Sequence, residues 1–363
     1  MKKYTSLILA LVLLIVTIFI PEPVANDVKF GKGKGDNATI STLEDTEEVI
    51  GSAIYLLSRT EAGKQGYDSL SLSFERDCRL NFGVSGNGNS SNTSMSIKNS
   101  NTYYINKDGD MYITSTAIIS SSASSSNSYS SSDEDGSSST STFMDFDAEM
   151  YVSLEDNEAY MRITRLEMVM NGTTLPAQIK TLMTNKWIDL EAFGEFGLDS
   201  LTSTMTEANL KYLALLDEYV STGLEKESFK KNGSKYEMSS SLFEDFMADC
   251  LKILVGSTPF EIETSGDFKL DLSKPKAPKI EIEVKYDFPS THEVREPNYD
   301  SGNYFSPSYT TTTYNISSTG SYERLSYQFY NIDNTIVEFD VDSKDIYDFE
   351  DLEDLAKDLG LED

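Results

Sequence analysis

Few residues of this chain could take part in nucleophilic, acid/base or zinc chemistry. The 363-residue sequence contains one histidine, His292, and two cysteines, Cys78 and Cys250. Nucleophilic catalysis needs a base beside the nucleophile, and a zinc site needs several cysteine or histidine ligands at regular spacing. These three residues stand far apart in unrelated segments and meet neither requirement. The sequence therefore predicts no catalytic site, no metal site and no cofactor, so we expect a protein that is not an enzyme.

Carboxylates are too numerous in this chain to identify a catalytic pair. There are 60 aspartates and glutamates against 30 lysines and arginines, which gives a formal net charge of −30. Two facing carboxylates could hydrolyse a glycosidic bond, but among so many acidic residues some pair will always lie close. The same charge repels phosphate groups, so nucleic acid is not expected as a partner.

Two acidic segments, NKDGDM at residues 106–111 and LEDNEA at residues 154–159, could instead be calcium-binding loops. Neither has the regular spacing of oxygen ligands that an EF-hand loop requires. Each lies between two runs of alternating apolar and polar residues, and Asp-Gly in such a position is a hairpin signal. We therefore predict two polar turns, in successive hairpins of one antiparallel meander.

The N-terminal sequence MKKYTSLILALVLLIVTIFIPEPVAND combines two lysines with an apolar run from Leu7 to Ile20. The run is short for a transmembrane helix and typical of a signal-peptide core, with an uncleaved anchor as the alternative. Residues 1–26 are thus a predicted signal peptide or N-terminal membrane anchor, through which the protein could associate with a membrane. The rest is expected to be extracytoplasmic, either secreted or anchored at the cell surface. Residues 27–40, which include FGKGKGDN, are predicted to form a flexible linker.

The two cysteines allow two alternatives. Because exported proteins meet oxidising conditions, Cys78 and Cys250 could form a disulfide. Cys250 also follows Phe243, Phe246 and Met247 in an apolar helical stripe. A free thiol there would pack as a small hydrophobic side chain. Sequence does not fix the separation of the two Cα atoms, so both alternatives stay open.

The order of periodic segments predicts an α+β fold. Apolar residues at helical spacing follow a capping-box pattern formed by Ser41 and Glu44, and period-two alternation begins at Asp68. Residues 201–256 contain two predicted helices, separated by a hairpin with Asn-Gly at its centre. Strands return in the last third, and an acidic helix closes the chain. We predict a single domain over residues 41–363, in which a curved, mostly antiparallel half-barrel sheet packs over helices.

Two low-complexity insertions interrupt this pattern. Residues 120–142 consist largely of serine, and residues 289–321 are rich in tyrosine and threonine. Serine-rich segments cannot become ordered by burying their own apolar surface. The sequence therefore predicts a disordered insertion at residues 120–142 and a long loop at residues 289–321.

Four segments, in this order, resemble the half-barrel exported carriers of the LolA and LppX type: YMRITRLEMVMNG, KWIDL, FKKNGSKYEMS and GDFKLDLSKPKAPKIEIEVKYDF. The resemblance extends over residues 42–341. It implies a convex antiparallel sheet over helices, with lipid or lipoprotein acyl chains held in the hollow. The chain departs from these families because it lacks a lipobox cysteine and carries two long polar insertions.

Six apolar residues are candidates for the lining of such a hollow: Met168, Met170, Trp187, Leu270, Ile282 and Val284. Methionine adapts to irregular space and to varied partners, whereas most apolar stripes are ordinary core. The first hypothesis is a non-enzymatic extracytoplasmic protein that binds a hydrophobic small molecule or lipid-like ligand in a half-barrel cavity. The alternative is a structural or adhesive cell-surface protein without a ligand pocket, whose polar insertions make the contacts.

Overall fold

A computed structural model describes residues 28–58, 66–86, 89–127, 136–153, 156, 158–190, 198–255, 262–288, 290–298, 308–317, 320–342 and 345–358. The predicted signal peptide or anchor, residues 1–26, lies outside these ranges. Within them, no helix has both the length and the apolar composition needed to cross a membrane.

The described residues form five helices and seventeen strands. The helices are α1 Leu43–Ser58, α2 Ala177–Met183, α3 Leu198–Glu225, α4 Ser240–Val255 and α5 Phe349–Asp358. The strands are β1 Val28–Lys32, β2 Leu70–Gly86, β3 Asn89–Ile105, β4 Met111–Asn127, β5 Gly136–Ser153, β6 Glu158–Met170, β7 Thr173–Thr174, β8 Trp187–Asp189, β9 Phe229–Asn232, β10 Lys235–Met238, β11 Glu263–Asp271, β12 Lys279–Asp287, β13 Thr291–Asn298, β14 Ser308–Ser317, β15 Ser321–Tyr330, β16 Thr335–Phe339 and β17 Ile346–Tyr347.

One large sheet contains most of the strands, in the order β17-β8-β6-β5-β4-β3-β2-β15-β12-β11-β10-β9. Its neighbouring strands are antiparallel, except that β8 and β17 are parallel. The β13–β14 hairpin attaches to the far end of β2, and β1 pairs with β16 in a separate two-stranded sheet. The predicted α+β fold with a large antiparallel sheet is confirmed. The strand order does not determine how strongly the sheet is curved, so the half-barrel stays a prediction.

The sheet has an inner face toward the helices and an outer face away from them. Successive side chains of a strand point to opposite faces, so residues two apart share a face. In β12, Ile280, Ile282 and Val284 are buried, whereas Glu281 and Lys285 are exposed. The buried side chains belong to one continuous core that also contains residues of α1, α3 and α4. Alternation in the sequence therefore assigns the faces of this strand directly.

Helix α1 begins at a capping box one residue away from the predicted one. The carboxylate Oδ2 of Asp45 accepts hydrogen bonds from the backbone N–H groups of Ser41 (2.8 Å) and Thr42 (3.0 Å). In return, Thr42 Oγ1 accepts a hydrogen bond from the N–H of Asp45 at 3.1 Å. The pair is thus Thr42 and Asp45 instead of Ser41 and Glu44, because the aspartate also satisfies the N–H of Ser41.

The predicted flexible linker is wrong for the part of residues 27–40 that the structure describes. Strand β1 pairs with β16 from Val28 opposite Phe339 to Lys32 opposite Thr335. Beyond β1, the side chain of Asn334 donates to the carbonyl of Gly35 at 2.6 Å and accepts from its N–H at 3.1 Å. A glycine- and lysine-rich segment is ordered here by bonds to a distant part of the chain, so its own composition does not indicate the order.

Disorder is also the wrong prediction for much of the serine-rich insertion. Residues 120–127 continue β4 and residues 136–142 begin β5, while residues 128–135 lie outside the described ranges. The two strands pair in register, with Ser121 opposite Thr142. Both strands also pass through the core, β4 at its beginning and β5 at its end, so each outward residue extends a ladder of backbone hydrogen bonds that already exists there;. The serines therefore need no core of their own.

The tyrosine- and threonine-rich segment contains a hairpin where a loop was expected. Strands β13 and β14 pair over eight residues each, from Thr291 opposite Asn315 to Asn298 opposite Ser308. Asn315 also lies opposite Ser85, which joins the hairpin to β2. Threonine and tyrosine favour strands, and this preference outweighs the polarity of the segment.

The predicted turn at NKDGDM is confirmed, and so is the pairing of the two strands that flank LEDNEA. In NKDGDM, Asn106 Oδ1 accepts from the N–H groups of Asp108 (3.0 Å) and Asp110 (2.9 Å), and Gly109 has a φ of +95°. At the second segment, LEDNEA, Ser153 of β5 lies opposite Glu158 of β6. Strands β5 and β6 therefore form the second hairpin of the predicted meander. Residues 154, 155 and 157 lie outside the described ranges. The NKDGDM turn is thus held by hydrogen bonds of its own Asn106 side chain.

Candidate functional site

The six candidate lining residues lie in three different surroundings. Met168, Leu270, Ile282 and Val284 are buried in the continuous inner-face core. Trp187 is buried on the outer face, with Tyr112, Tyr151 and Val337, and the Arg162 guanidinium lies 4.5 Å from the centre of its ring system. Met170 is 50% exposed at the end of β6. The structure therefore brings four of them together as core and separates the other two.

A buried polar cluster interrupts the inner-face core beside β2 and β15. Arg76 Nη2 lies 2.6 Å from Glu323 Oε1, and this carboxylate is completely buried. The hydroxyl of Tyr286 donates to Glu323 Oε2 at 2.9 Å, and that of Tyr212 donates to Oε1 at 3.3 Å. Desolvation, reinforced by the charge of Glu323, raises the pKa values of both phenols. Neither phenol is therefore an acid or a base near neutral pH.

Both cysteines are free and buried, so the alternative of a Cys78–Cys250 disulfide is wrong. Burial raises the pKa of the Cys78 thiol to about 12, with a further increase from the charge of Glu323. The same causes raise the pKa of the Cys250 thiol above its ordinary value. Because the thiolate is the reactive form, these side chains are inert packing groups and not nucleophiles.

The remaining residues that could bind a metal or act in catalysis do not converge in the described part of the chain. No group of three or more histidine, cysteine, aspartate or glutamate side chains is close enough there to hold a metal ion. His292 lies in β13, opposite Tyr314 of β14. The geometry of these residues supports no particular reaction.

A shallow groove of about 550 Å³ crosses the outer face over β2, β3, β4, β11, β12 and β15. Its basic residues are paired with acidic neighbours, as in Lys279 with Glu281 at 2.7 Å, Lys269 with Asp267 at 2.8 Å and Arg324 with Glu283 at 3.3 Å. Exposed pairs of this kind contribute little stability, but they neutralise one another locally. Of the six predicted residues only Ile282 borders this groove.

The outward parts of β2 to β5 form a surface that we call the blade, residues 81–86, 89–96, 120–127 and 136–142. Its described residues include no charged one, in a chain with 60 acidic and 30 basic residues; the connection between β4 and β5, residues 128–135, lies outside the described ranges and contains Asp133, Glu134 and Asp135. Most of its described side chains are exposed or half-buried on both faces. Hydroxyl groups bond across the strands, as between Ser90 and Ser126 and between Ser125 and Ser138, each at 2.8 Å. The blade therefore offers a neutral array of hydroxyl and amide groups to a partner.

The outer face of the blade is concave and has an aromatic side chain beside it. A trough of about 390 Å³ is lined by residues from all four strands, among them Asn81, Asn92, Ser122 and Ser139. Phe143 follows on β5, two residues after Ser141, on the same face, and is 37% exposed. An exposed aromatic ring beside a neutral polar trough is a typical element of a binding surface.

Sequence reasoning missed this surface because it treated the serine-rich segment as disordered. One signal was available: none of the residues in NSSNTSMS, SSSASSSN and GSSSTST is charged. Disordered segments usually combine polarity with charge, and exposed strand edges are usually protected by charge. The three described segments have neither feature.

Two comparisons with known proteins found no match. No protein-family model matches the chain, and no curated protein sequence matches it. The geometry of the described residues is therefore the basis for the function proposed below.

Proposed function

We propose that this protein is a non-enzymatic, extracytoplasmic attachment protein of the cell surface, in which the helix-backed sheet is a stable platform and the blade makes the contacts. The observation that carries the proposal is the blade itself. It projects four paired strands beyond the helix-covered core and presents uncharged side chains on both faces. The apolar N-terminal run supports export, because its length and flanking lysines are typical of an export signal or an anchor;.

The charge distribution supports an attachment role. A net charge of −30 keeps molecules of this protein apart and soluble;. A charged blade would bring the same repulsion to its contact surface, whereas a neutral blade can approach a partner without it. Packing of the core against α1, α3 and α4 leaves the blade free for this role, since none of its exposed side chains is needed to close the core.

Carriage of a hydrophobic ligand stays a prediction. Leu270, Ile282 and Val284 pack within one core with residues of α3 and α4. These helices would have to separate from the sheet to admit an acyl chain. Purified protein incubated with a fluorescent fatty acid tests this alternative directly, since saturable enhancement of fluorescence would support it and none is expected.

Truncation of the blade tests the attachment role. Because Ser121 and Thr142 lie directly opposite each other, an Asn-Gly turn can replace residues 122–141 without changing the strands below;. Beads that carry the full chain are expected to remain on intact cells, or on cell-wall material from the same organism, under flow. Beads that carry the truncated chain are expected to detach.

A second variant controls for the general effects of shortening a hairpin. The small β9–β10 hairpin at an edge of the sheet can be shortened by replacing its exposed residues 232–235 with Asn-Gly, which keeps the buried Tyr236 and Met238;. Beads with this variant should attach like the wild type, and both variants should keep the wild-type unfolding transition. Equal attachment of wild-type and blade-truncated beads would exclude the proposed role.

A further inference from the structure

The trough on the outer face of the blade has a definite chemical character. Its lining residues are asparagine, serine, threonine, glycine, alanine and one phenylalanine, Phe82, and none of them is charged. Asn81, Asn92, Ser122 and Ser139 represent the four strands that form it. Amides and hydroxyls both donate and accept hydrogen bonds, so the trough suits a partner whose surface does both. Its volume of about 390 Å³ is within the ordinary range of small-ligand sites;.

Phe143 gives this surface an apolar element. Its side chain is 37% exposed and lies opposite Ser120 of β4. Ile118, on the same strand as Ser120 and two residues before it, shares this face and is 41% exposed. Ile118 borders the charged groove, so Phe143 is the large exposed apolar side chain nearest to the polar trough.

Neutral carbohydrate combines the two properties that this surface requires. A pyranose ring has an apolar C–H face that can stack on an aromatic ring, and a rim of hydroxyls that exchange hydrogen bonds with amides and hydroxyls. Polyanions and a second copy of this chain are both disfavoured by the net charge of −30, while an uncharged polymer meets no repulsion;. The neutral trough also provides no ion pair to hold a strongly charged ligand.

We propose that the outer face of the blade is a binding site for a neutral polysaccharide, with one sugar ring stacked on Phe143 and the adjoining units seated in the trough. This inference rests on the proposed role of the blade as an attachment surface and names its partner class. Side chains such as Asn92 and Ser122 bond the sugar hydroxyls, and the inner face of the blade takes no part.

Alternation along β4 allows a sharp test of this site. Ser124 lines the trough, whereas Ser125 is also exposed but points to the opposite face;. The full chain is titrated calorimetrically with soluble glucan, mannan and chitin oligosaccharides, and with polygalacturonate as the anionic probe. Binding to at least one neutral series is expected, and none to polygalacturonate. Phe143→Ala and Ser124→Lys should each weaken that binding by about tenfold or more, while Ser125→Lys should leave it unchanged.

Several results would overturn the site. The site would be excluded if no neutral series bound at millimolar concentration, or if polygalacturonate alone bound. It would also be excluded by equal effects of Ser124→Lys and Ser125→Lys on binding, or by a dimer in sedimentation that depends on the blade. Unfolding curves of Ser124→Lys and Ser125→Lys should match the wild type, because both side chains are exposed, and Phe143→Ala should still unfold in one cooperative transition;. If truncation of the blade abolishes attachment to cells but neutral polysaccharides do not bind, the attachment role survives and the carbohydrate assignment fails.

Discussion

Arg76 Nη2 lies 2.6 Å from Glu323 Oε1 beneath the sheet, and the glutamate side chain has no exposed surface. The two residues come from β2 and β15, which are neighbours, and Tyr212 of α3 also donates to the carboxylate. One ion pair thus connects the middle of the sheet to a helix that packs on it. A buried carboxylate is tolerated only where charge and hydrogen bonds compensate its desolvation.

Removal of one partner should therefore be far more damaging than removal of both. Arg76→Leu leaves the Glu323 carboxylate buried without its cation and is expected to cost about 3–5 kcal/mol in the free energy of unfolding. The double variant Arg76→Leu, Glu323→Leu should recover most of this loss, since no buried charge remains. Urea denaturation of the wild type and of both variants measures the difference. A double variant as unstable as Arg76→Leu would contradict this account of the pair.

Gly266 should not tolerate any side chain. Its φ is +156°, and a Cβ atom built there would lie 1.8 Å from the carbonyl oxygen of Glu283 on the neighbouring strand. Gly266→Ala must separate β11 from β12 at this point, and a loss of more than about 2 kcal/mol is expected. Ser265→Ala is the matched control, because Ser265 is exposed and adjacent. Similar unfolding free energies for the two variants would show that the strands can move apart at little cost.

Asn334 is expected to hold the N-terminal segment in place. Its side chain bonds the backbone of Gly35 twice, and its carbonyl accepts from the N–H of Gly33 at 2.7 Å. Asn334→Ala should speed hydrogen exchange of the Gly35 amide by about tenfold, with a loss of about 1–2 kcal/mol locally. Glu338→Ala is the control, since its pair with Lys29 joins the same strands but is exposed. Unchanged exchange at Gly35 would mean that β1 alone orders the segment.

Alternation made the inner face of the sheet predictable. In β12, the alternating residues of KIEIEVKYDF are in turn buried and more exposed. A strand with one solvent-exposed face has this period of two, since successive side chains point to opposite faces. The turns were predictable for a related reason. NKDGDM contains a glycine where positive φ is needed and an asparagine that can bond its own turn;.

The errors came from segments whose order depends on distant partners. Ser120 to Asn127 has no apolar period, but it is ordered because β3 and β5 flank it on both sides. Lys32 and the glycines after it are fixed by β16 and Asn334, about 300 positions away in sequence. Trp187 depends on distant residues in the same way, since the Arg162 guanidinium and aromatic side chains from five strands surround it. Local composition contains no information about such contacts.

The two thiols should be unreactive in the folded protein and reactive only after unfolding. Burial holds the pKa of Cys78 at about 12 and raises that of Cys250, so both are protonated at pH 8. Native protein is expected to react with a disulfide reagent at pH 8 far more slowly than denatured protein, in which both thiols should react at once. Rapid reaction of either thiol in the native state would contradict the buried placement.

The same shift predicts how stability changes in alkaline solution. A thiol whose pKa is raised on folding favours the folded state below its unfolded pKa of about 9. This contribution is lost as the pH rises from there toward the folded value of about 12, since the unfolded chain ionises first. Unfolding free energy should therefore fall over this window, and Cys78→Ala should show a shallower fall than the wild type. Because buried tyrosines such as Tyr212 titrate in both proteins, the difference between the two curves isolates the thiol. Parallel curves would show that Cys78 ionises equally easily in the folded and unfolded chains.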